Sequence, residues 1–323
     1  MSTHEIDGLR YHVIEAGAGE PLVLLHGFTG SVHGWDGIMA QLSRHYRMIV
    51  IDLPGHGNTD SPAGVERYTM AQVAADLMVI ATHIGIADAH WLGYSMGGRL
   101  ALYITLKYPE RIRSAILVSA SPGLADPAEL LARRRADEVL AQRIEAQGVA
   151  AFVDDWERQP VLAHRQLSEA ARLSLRRQRL QNNAQGLANS LRGMGTGVQP
   201  SLWGRLREID RPVLLLAGEH DEKFVAINRQ MAEAIPQAKL QLIPEAGHML
   251  HLEQPAAFGA TVLDFLSVAD SEDSRQPLPQ GEQTDKNECR QGELLEPRIE
   301  GRQIGRAADG NPVAHQQRHG QQE

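Results

Sequence analysis

Cysteine is almost absent from this sequence, which has one, Cys289, among 323 residues. A single cysteine cannot form an internal disulfide bond, which agrees with a reducing compartment. No run approaches the roughly 18 apolar residues of a membrane span. Residues 1–10 also lack the charged and apolar regions of a signal peptide. We therefore predict a cytoplasmic protein with no membrane span.

An excess of basic residues is missing as well. The sequence has 32 Lys and Arg against 40 Asp and Glu, a formal net charge of -8. Residues 270–323 hold 11 acidic and 7 basic side chains and no aromatic residue, so half of the net charge lies there. Nucleic acid binding needs clustered Lys and Arg, so we predict no nucleic acid partner. The composition of residues 269–323 predicts a disordered C-terminal tail.

Short apolar runs bounded by Gly, Pro and Asp alternate with segments of helical spacing in the first 120 residues. The runs lie at 21–25, 48–51, 89–92 and 115–119, and the helical segments include 69–84 and 98–107. Apolar runs of this length indicate buried parallel strands. Their alternation with helices predicts an α/β fold with a mostly parallel twisted sheet covered by helices on both faces.

The strand pattern is interrupted between residues 124 and 202, where three or four helix-like segments occur without a convincing strand. It resumes at 212–217 and 239–243 and is followed by a helical segment near 254–267. The predicted organisation is therefore a core of residues 1–120 and 205–268, an inserted all-helical cap of residues 121–204, and the tail.

A glycine-flanked serine follows one of the predicted strands. Residues 93–97 read Gly-Tyr-Ser-Met-Gly, just before the helix that begins near Gly98. In a strand-turn-helix context this sequence forms a nucleophile elbow, a tight turn that exposes the serine hydroxyl at the top of an α/β-hydrolase sheet. The glycines remove Cβ atoms that would collide where strand meets helix. Ser95 is therefore the candidate reactive serine of an α/β-hydrolase fold.

Serine needs an imidazole to take its proton, and in this fold an acid and then a histidine follow it along the chain. His248 lies in a loop after the last predicted strand, and Asp221 follows the strand before it. A carboxylate on Nδ1 fixes the tautomer of the imidazole. Glu219 and Glu222 compete as the acid. Asp221 is favoured because its distance from the strand end places it on the loop.

Residues 26–30, His-Gly-Phe-Thr-Gly, follow the first strong strand and predict an oxyanion hole. Its donors are expected to be the backbone N–H groups of Phe28 and Met96, while the side chain of His26 is interpreted as structural. The loop 52–57 is interpreted as a shaping loop. No metal-ligand cluster or nucleotide-binding fingerprint is visible in the sequence, so we expect neither a metal nor a cofactor.

Several motifs together resemble one family of this superfamily, the MenH family of menaquinone biosynthesis, formally 2-succinyl-6-hydroxy-2,4-cyclohexadiene-1-carboxylate synthase. The likeness extends over residues 6–267. In the core it rests on Leu-His-Gly-Phe-Thr-Gly at 25–30, Asp-Leu-Pro-Gly-His-Gly at 52–57, Gly-Tyr-Ser-Met-Gly-Gly-Arg at 93–99 and Gly-Glu-His-Asp-Glu-Lys-Phe at 218–224. In the cap it rests on Asp-Trp at 155–156, Gln-Pro-Val at 159–161, Asn-Asn at 182–183 and Gly-Leu-Ala at 186–188. Caps vary widely within the fold, so the likeness there is the more diagnostic.

The resemblance implies a lyase, not a hydrolase. The family removes pyruvate from 2-succinyl-5-enolpyruvyl-6-hydroxy-3-cyclohexene-1-carboxylate and leaves a cyclohexadiene. It implies that Ser95, activated by His248, acts as a base, and that no acyl-enzyme forms. The oxyanion donors would then stabilise negative charge on the succinyl carbonyl oxygen. The expected partner is therefore a small polycarboxylate substrate. The sequence does not indicate which oligomeric state the protein adopts.

A polycarboxylate needs cationic groups, and residues 121–204 contain 11 Arg and no Lys. Arginine suits planar, bidentate carboxylate binding. By the family pattern Arg99 and Arg133 contact the substrate, and a second cap arginine falls within residues 176–179. The choice among Arg176, Arg177 and Arg179 stays open there, and Arg177 is the residue assigned. The same pattern completes the pocket with Tyr94 and Trp156.

Two other functions fit the same motifs. A serine carboxylesterase or C–C bond hydrolase shares the triad and the oxyanion hole, but an ester hydrolase of apolar substrates favours an apolar cap. A non-catalytic binding protein on this fold is the second alternative, because fold does not fix function. Such proteins often lose a triad member, and this sequence retains all three candidates.

Overall fold

An eight-stranded sheet forms the centre of the computed structural model, which describes residues 1–159 and 167–273. Its strands are β1 (Ser2–Ile6), β2 (Leu9–Ala16), β3 (Glu20–Leu25), β4 (Tyr46–Ile51), β5 (Ala89–Tyr94), β6 (Ile112–Val118), β7 (Val213–Gly218) and β8 (Ala238–Ile243). They are arranged in the order β1-β2-β4-β3-β5-β6-β7-β8. All pairings among β3 to β8 are parallel, and β2 pairs antiparallel with both β1 and β4. The predicted fold, α/β with a mostly parallel sheet, is confirmed.

The antiparallel hairpin β1–β2 was not predicted from the sequence. Its strands alternate buried and exposed residues instead of forming an apolar run. Asp7 and Gly8 connect them with φ angles of 48° and 78°. Two successive positive φ angles are the geometry of a two-residue hairpin turn, for which Asp-Gly is a favoured sequence. This dipeptide was the signal that the search for apolar runs missed.

Helices cover both faces of the sheet. The described α-helices are α1 (Asp36–Leu42), α2 (Met70–His83), α3 (Met96–Lys107), α4 (Pro127–Trp156), α5 (Glu169–Leu180), α6 (Ala184–Met194), α7 (Glu222–Ala234), α8 (Leu250–Glu253) and α9 (Pro255–Asp273). One apolar cluster packs α2, α3 and α7 against one face of the sheet, and a second packs α1 and α9 against the other. This arrangement leaves the carboxyl ends of the parallel strands as the place where loops meet.

The cap is inserted between β6 and β7. Its helices α4, α5 and α6 fall within the predicted span 121–204, and α4 is interrupted at Gly148, where φ is 80°. A small apolar cluster that includes Ile144, Phe152 and Leu187 holds α4 against α6. The two ends of the insertion meet, because the Leu202 amide donates a 2.7 Å hydrogen bond to the carbonyl of Pro122. Residues 160–166 of the predicted cap lie outside the described residues.

The last helix is longer than the sequence predicted. It was expected to end near Ser267, with a tail from residue 269, but α9 continues to Asp273. Ala269 is buried, and Asp270 accepts hydrogen bonds from Tyr46 Oη at 2.8 Å and His90 Nε2 at 2.9 Å. These contacts extend the helix past the predicted boundary. The rest of the predicted tail, 274–323, lies outside the described residues. No helix in the described part of the chain is long and apolar enough to cross a membrane.

Candidate active site

Ser95 occupies the sharp turn between β5 and α3. Its φ and ψ angles are 51° and -106°, a strained conformation for a residue with a side chain. The turn is held because the Ser95 amide donates to the Val118 carbonyl at 2.8 Å and its carbonyl accepts from the Arg99 amide at 2.9 Å. Ser95 is partly exposed, although both neighbours are buried. Its side chain is one of those that line the cavity above the sheet.

Two glycines make this turn possible by allowing close approach of the backbone. A Cβ atom on Gly93 would lie 2.2 Å from the carbonyl oxygen of Gly97, and one on Gly97 would lie 2.2 Å from that of Leu25. Real Cβ atoms essentially never come so close to backbone. The first contact lets the strand fold directly onto the helix, and the second seats the helix on the end of β3.

Asp221 is the carboxylate that the structure brings to the histidine. It follows β7 by three residues and is 6% exposed. The competing residues Glu219 and Glu222 are both exposed, and the Glu219 carboxylate accepts a hydrogen bond from the Glu245 amide. The choice of Asp221 from the sequence therefore agrees with the geometry.

His248 connects the acid to the serine. Its Nδ1 donates to Asp221 Oδ2 at 2.7 Å, and its Nε2 lies 3.4 Å from Ser95 Oγ. Contact with a carboxylate assigns the proton to Nδ1 and leaves Nε2 to accept a proton from the serine. The side chains of His248 and Asp221 are 8% and 5% exposed. These three residues, separated by up to 153 positions in the sequence, form one relay at the carboxyl edge of the sheet.

The expected oxyanion turn lies beside the serine. A Cβ atom on Gly27 would be 3.4 Å from Ser95 Cβ, so the backbone that leads to Phe28 passes next to Ser95. Among the described residues, neither the Phe28 amide nor the Met96 amide has a hydrogen-bond acceptor. Unpaired amides are rare where backbone is buried, and a reacting oxygen would supply the acceptor.

His26 fixes the oxyanion turn from beneath. Its Nδ1 donates to the Gly27 carbonyl at 2.8 Å, and its Nε2 accepts from the Leu53 amide at 2.9 Å. Burial lowers the pKa of His26, and burial lowers that of the adjacent His56 to about 3. Neutral imidazoles satisfy these contacts. The structural interpretation of His26 and of the loop 52–57 agrees with this arrangement.

A cavity of about 440 Å³ opens between the relay and the cap. Its walls combine core residues such as Ser95 and His248 with cap residues such as Trp156 and Arg179. Enclosed spaces of this size suit a small organic ligand. In the described part of the chain, no group of three or more His, Cys, Asp or Glu side chains is arranged to hold a metal ion.

Arg99 points a buried positive charge at this cavity. It is 9% exposed, and its Nη1 donates to Gln199 Oε1 at 2.9 Å. Burial lowers the pKa of Arg99 to about 10, and the charge of nearby Arg133 adds to the effect. Within residues 1–159 and 167–273 no carboxylate pairs with Arg99. The charge of Asp137 partly opposes this lowering of the pKa but does not reverse it. A buried cation without a direct ion-pair partner is costly, so an anionic ligand would be favoured here.

Arg133 and Arg179 bring two further guanidinium groups to the cavity wall from the cap. Arg133 Nε donates to Asp137 Oδ1 at 2.7 Å. Arg179 is 2% exposed, and its Nη1 donates to Glu157 Oε1 at 3.0 Å. Burial lowers the pKa of Arg179. Its Nη2 lies 3.7 Å from Met249 Sδ, next to the histidine of the relay.

The structure places Arg179, and not the predicted Arg177, at the cavity wall. Arg177 is exposed and does not line the cavity, because it lies on the opposite side of α5. Arg176 does not line the cavity either and pairs with Asp154 and Glu157. The helical period indicates that Arg179 is the arginine on the buried face of α5. It follows the buried Leu175 by four residues, and residues four apart share one helix face.

Comparison with known proteins decides the family. The chain matches the family model for the alpha/beta hydrolase fold over residues 20–255. One relative is a protein of Bacillus subtilis (strain 168) that carries the name 2-succinyl-6-hydroxy-2,4-cyclohexadiene-1-carboxylate synthase. The two sequences are 45% identical over 264 residues, which cover 81% of this chain and 96% of the relative. The synthase of that name from Enterobacter sp. (strain 638) is 35% identical and covers 78% of this chain and 95% of its own. This chain belongs to that synthase family.

A solved structure supports the same membership. The structure of MenH from S. aureus superposes with a TM-score of 0.76 at 37% sequence identity, over 80% of this chain and 98% of that one. The family that the sequence motifs indicated is therefore confirmed. With it, the chain is placed among lyases of the α/β-hydrolase superfamily.

Aromatic side chains complete the cavity of this MenH family member. Tyr94 packs against His248 with ring centroids 5.4 Å apart, and burial raises the pKa of its phenol well above the usual value. Trp156 packs edge-on against Phe28 at 5.5 Å, which brings the cap into apolar contact with the oxyanion turn. Both predicted residues line the cavity.

Sequence reasoning did not single out three polar residues, of which Lys223 and His251 line the cavity. Gln199 binds Arg99, Lys223 lies on the wall beside the relay, and His251 lies against Tyr94 with ring centroids 4.5 Å apart. Burial and the neighbouring His248 lower the pKa of His251 to about 3. Gln199 lies in an irregular segment, where no periodicity marks a residue as inward-facing. Lys223 is part of the motif at 218–224 and His251 follows His248 by three residues, and those positions were the available signal.

Proposed function

We propose that this protein eliminates pyruvate from 2-succinyl-5-enolpyruvyl-6-hydroxy-3-cyclohexene-1-carboxylate, with Ser95, His248 and Asp221 as the base. One observation carries the proposal: the buried guanidinium of Arg99, which forms no ion pair among the described residues, lines the same cavity as the serine relay. A relay alone fits many hydrolases. A relay that faces buried cations fits a substrate with several carboxylates.

The product differs from the substrate by the loss of pyruvate, and the conjugated diene that forms favours this elimination. The substrate has a ring double bond between C3 and C4, and the product has double bonds at C2 and C4. Removal of the C2 proton therefore forms the C2–C3 double bond, moves the existing one to C4–C5 and breaks the C5–O bond. The enolpyruvate released takes up a proton and becomes pyruvate. C2 lies next to the succinyl carbonyl, which acidifies its proton.

The relay supplies the base for this step. His248 accepts the Ser95 proton at Nε2, and Ser95 Oγ then accepts the C2 proton of the substrate. Asp221, buried at the other ring nitrogen, stabilises the imidazolium that forms. The separation of 3.4 Å between Ser95 Oγ and His248 Nε2 is in the range found in free enzymes, where such contacts shorten when substrate binds. No bond between enzyme and substrate is required.

The free amides of Phe28 and Met96 support the negative charge. Loss of the C2 proton puts charge on the succinyl carbonyl oxygen, which becomes an enolate. Two N–H donors that are already oriented toward the oxygen stabilise that charge more than water does, because they need not reorganise during the reaction. Each such donor commonly contributes about 3 kcal/mol to the transition state. The turn that His26 holds keeps one of these donors beside the serine.

Three arginines are proposed as carboxylate anchors. Arg99, Arg133 and Arg179 line one cavity, and the substrate has carboxylates on the ring, on the succinyl chain and on the enolpyruvyl group. The aromatic rings of Tyr94 and Trp156 would enclose the cyclohexene ring between these anchors. Arg177, which the sequence had suggested, takes no part. The cytoplasmic location remains a prediction from the sequence.

The decisive experiment is a coupled assay for pyruvate release. The wild-type protein should release pyruvate from the enolpyruvyl substrate, and Ser95→Ala and His248→Ala should each abolish release while circular dichroism shows an intact fold. His220→Ala is the matched control, because His220 is exposed and lies outside the relay. Rapid hydrolysis of a p-nitrophenyl ester without any pyruvate release would instead establish a serine esterase.

A further inference from the structure

The loop that carries His248 is bound by one carboxylate on both sides of the histidine. Glu253 Oε2 accepts a 2.9 Å hydrogen bond from the Gly247 amide, and Glu253 Oε1 accepts one of 3.2 Å from the Met249 amide. Glu253 is the last residue of α8, and its own amide donates to the Met249 carbonyl at 3.0 Å. The amides of the residues before and after His248 are thus tied to a single side chain.

Glycine at position 247 leaves room for this carboxylate. A Cβ atom there would lie 3.3 Å from Glu253 Oε1 and 3.4 Å from Oε2. Such contacts are tight, so a larger residue would press on the carboxylate that binds the loop. The His248 carbonyl has its own partner, since Ser119 Oγ donates to it at 3.3 Å. The backbone on both sides of the histidine is therefore fixed from two directions.

We propose that Glu253 is a positioning residue, which sets the orientation of the His248 imidazole toward Ser95. Asp221 fixes one ring nitrogen, but a ring held at one atom still rotates about that contact. The position of the main chain decides where Nε2 lies. Charge-assisted hydrogen bonds from the Gly247 and Met249 amides are stronger than neutral ones and confine that main chain. The inference rests on the relay acting as the base of the proposed reaction.

The effect should appear in turnover and not in substrate capture. Glu253 does not line the cavity, so its removal leaves the arginine anchors in place. We expect Glu253→Ala to lower kcat by about 10- to 100-fold, because displacement of a catalytic group by about 1 Å costs on the order of 100-fold. KM should stay within about two-fold of the wild-type value, since uniform binding is retained.

A conservative variant and a matched control separate positioning from loss of charge or stability. Glu253→Gln keeps one acceptor oxygen for the loop, so its kcat should lie between those of Glu253→Ala and the wild type. Glu245→Gln makes the same charge change in the same loop, at an exposed side chain near His220. Its kcat should equal that of the wild type. Thermal unfolding of each variant is measured in parallel.

A spectroscopic measurement makes the test independent of the substrate. The proton that His248 Nδ1 shares with Asp221 gives a strongly downfield NMR signal when the ring is held in place. We expect this signal in the wild type and in Glu245→Gln, and its loss or broadening in Glu253→Ala. Unchanged kcat and an unchanged signal in Glu253→Ala, with only a lower Tm, would overturn the positioning role. A wild-type protein that shows the signal but releases no pyruvate would contradict the proposed function and leave this test intact.

Discussion

Arg99 Nη1 donates a 2.9 Å hydrogen bond to Gln199 Oε1, so a neutral amide holds a buried cation in the cavity. Gln199 is 1% exposed, and its own Nε2 donates to the Ser121 carbonyl at 3.2 Å, which fixes the amide. A carboxylate at this position would cancel the charge, whereas an amide orients the guanidinium and leaves its charge for a ligand. The pairing therefore prepares one wall of the cavity for an anion.

We predict that Gln199→Glu weakens binding of the polycarboxylate. The new carboxylate would pair with Arg99 and compete with the substrate for it. KM should rise by about 10- to 100-fold, which corresponds to the loss of one charge-assisted interaction of about 1.5–3 kcal/mol. Steady-state kinetics of pyruvate release measure this, and kcat should change less than KM because the relay is untouched.

Gln147→Glu is the control for that substitution. Gln147 also accepts a hydrogen bond from an arginine, Arg143, at 3.0 Å, but it is exposed and lies outside the cavity. Its kinetics should match the wild type. A Gln199→Glu protein with the wild-type KM would show that the charge of Arg99 does not contribute to substrate binding.

The two arginines at 177 and 179 give a second prediction. Arg179→Ala removes a buried guanidinium from the cavity wall and should reduce kcat/KM by about 10- to 100-fold, in line with loss of a charged hydrogen bond. Arg177→Ala removes an exposed arginine two residues away on the same helix and should stay within about two-fold. Equal losses in both variants would remove Arg179 from the set of anchors. Arg179→Lys keeps the charge and reports whether the fork geometry matters.

A third prediction concerns stability and pH at the opposite end of β5. Burial alone would raise the pKa of Asp270, but hydrogen bonds from His90 and Tyr46 outweigh it, so the pKa is lowered. A lowered carboxylate pKa means that its contribution is present at neutral pH and is lost as the pH falls through the folded-state pKa. Asp270→Ala should therefore reduce the free energy of unfolding at neutral pH by about 1–3 kcal/mol, because the buried His90 loses its partner. The difference from the wild type should shrink below about pH 4.

Denaturant unfolding at several pH values measures this effect. Asp264→Ala is the matched control, since Asp264 is exposed on the same helix, α9. Its effect should be small at every pH. A stability difference for Asp270→Ala that is constant between neutral and acidic pH would contradict the proposed role of the ionised carboxylate.

The parts of the site that the sequence predicted are those attached to strand ends. Ser95, Asp221 and His248 each follow an apolar run within a few residues, and the fold fixes their order along the chain. Strand ends are rigid and meet at one edge of the sheet. A short motif beside such an end therefore carries three-dimensional information.

Other parts depend on contacts that leave no pattern in the sequence. The choice between Arg177 and Arg179 depends on the rotation of α5, and a difference of two residues turns a side chain to the other side of a helix. Gln199 contacts Arg99, which is 100 positions away, and lies in an irregular segment. Glu253 contacts Gly247, six positions before it, in a loop that shows no periodic pattern. The β1–β2 hairpin was missed because its half-buried strands alternate where the search looked for continuous apolar runs.

The meeting of the two cap ends at Pro122 and Leu202 has an evolutionary consequence. The segment between these residues is connected to the core at one place, so recombination can exchange the segment without disrupting the strands of the sheet. Ser95, Asp221 and His248 belong to the core and stay in place, while an exchanged segment supplies different ligand contacts. A chimaera that carries a foreign segment between these two residues should therefore keep the hydrogen bonds among Ser95, His248 and Asp221 and acquire another substrate range.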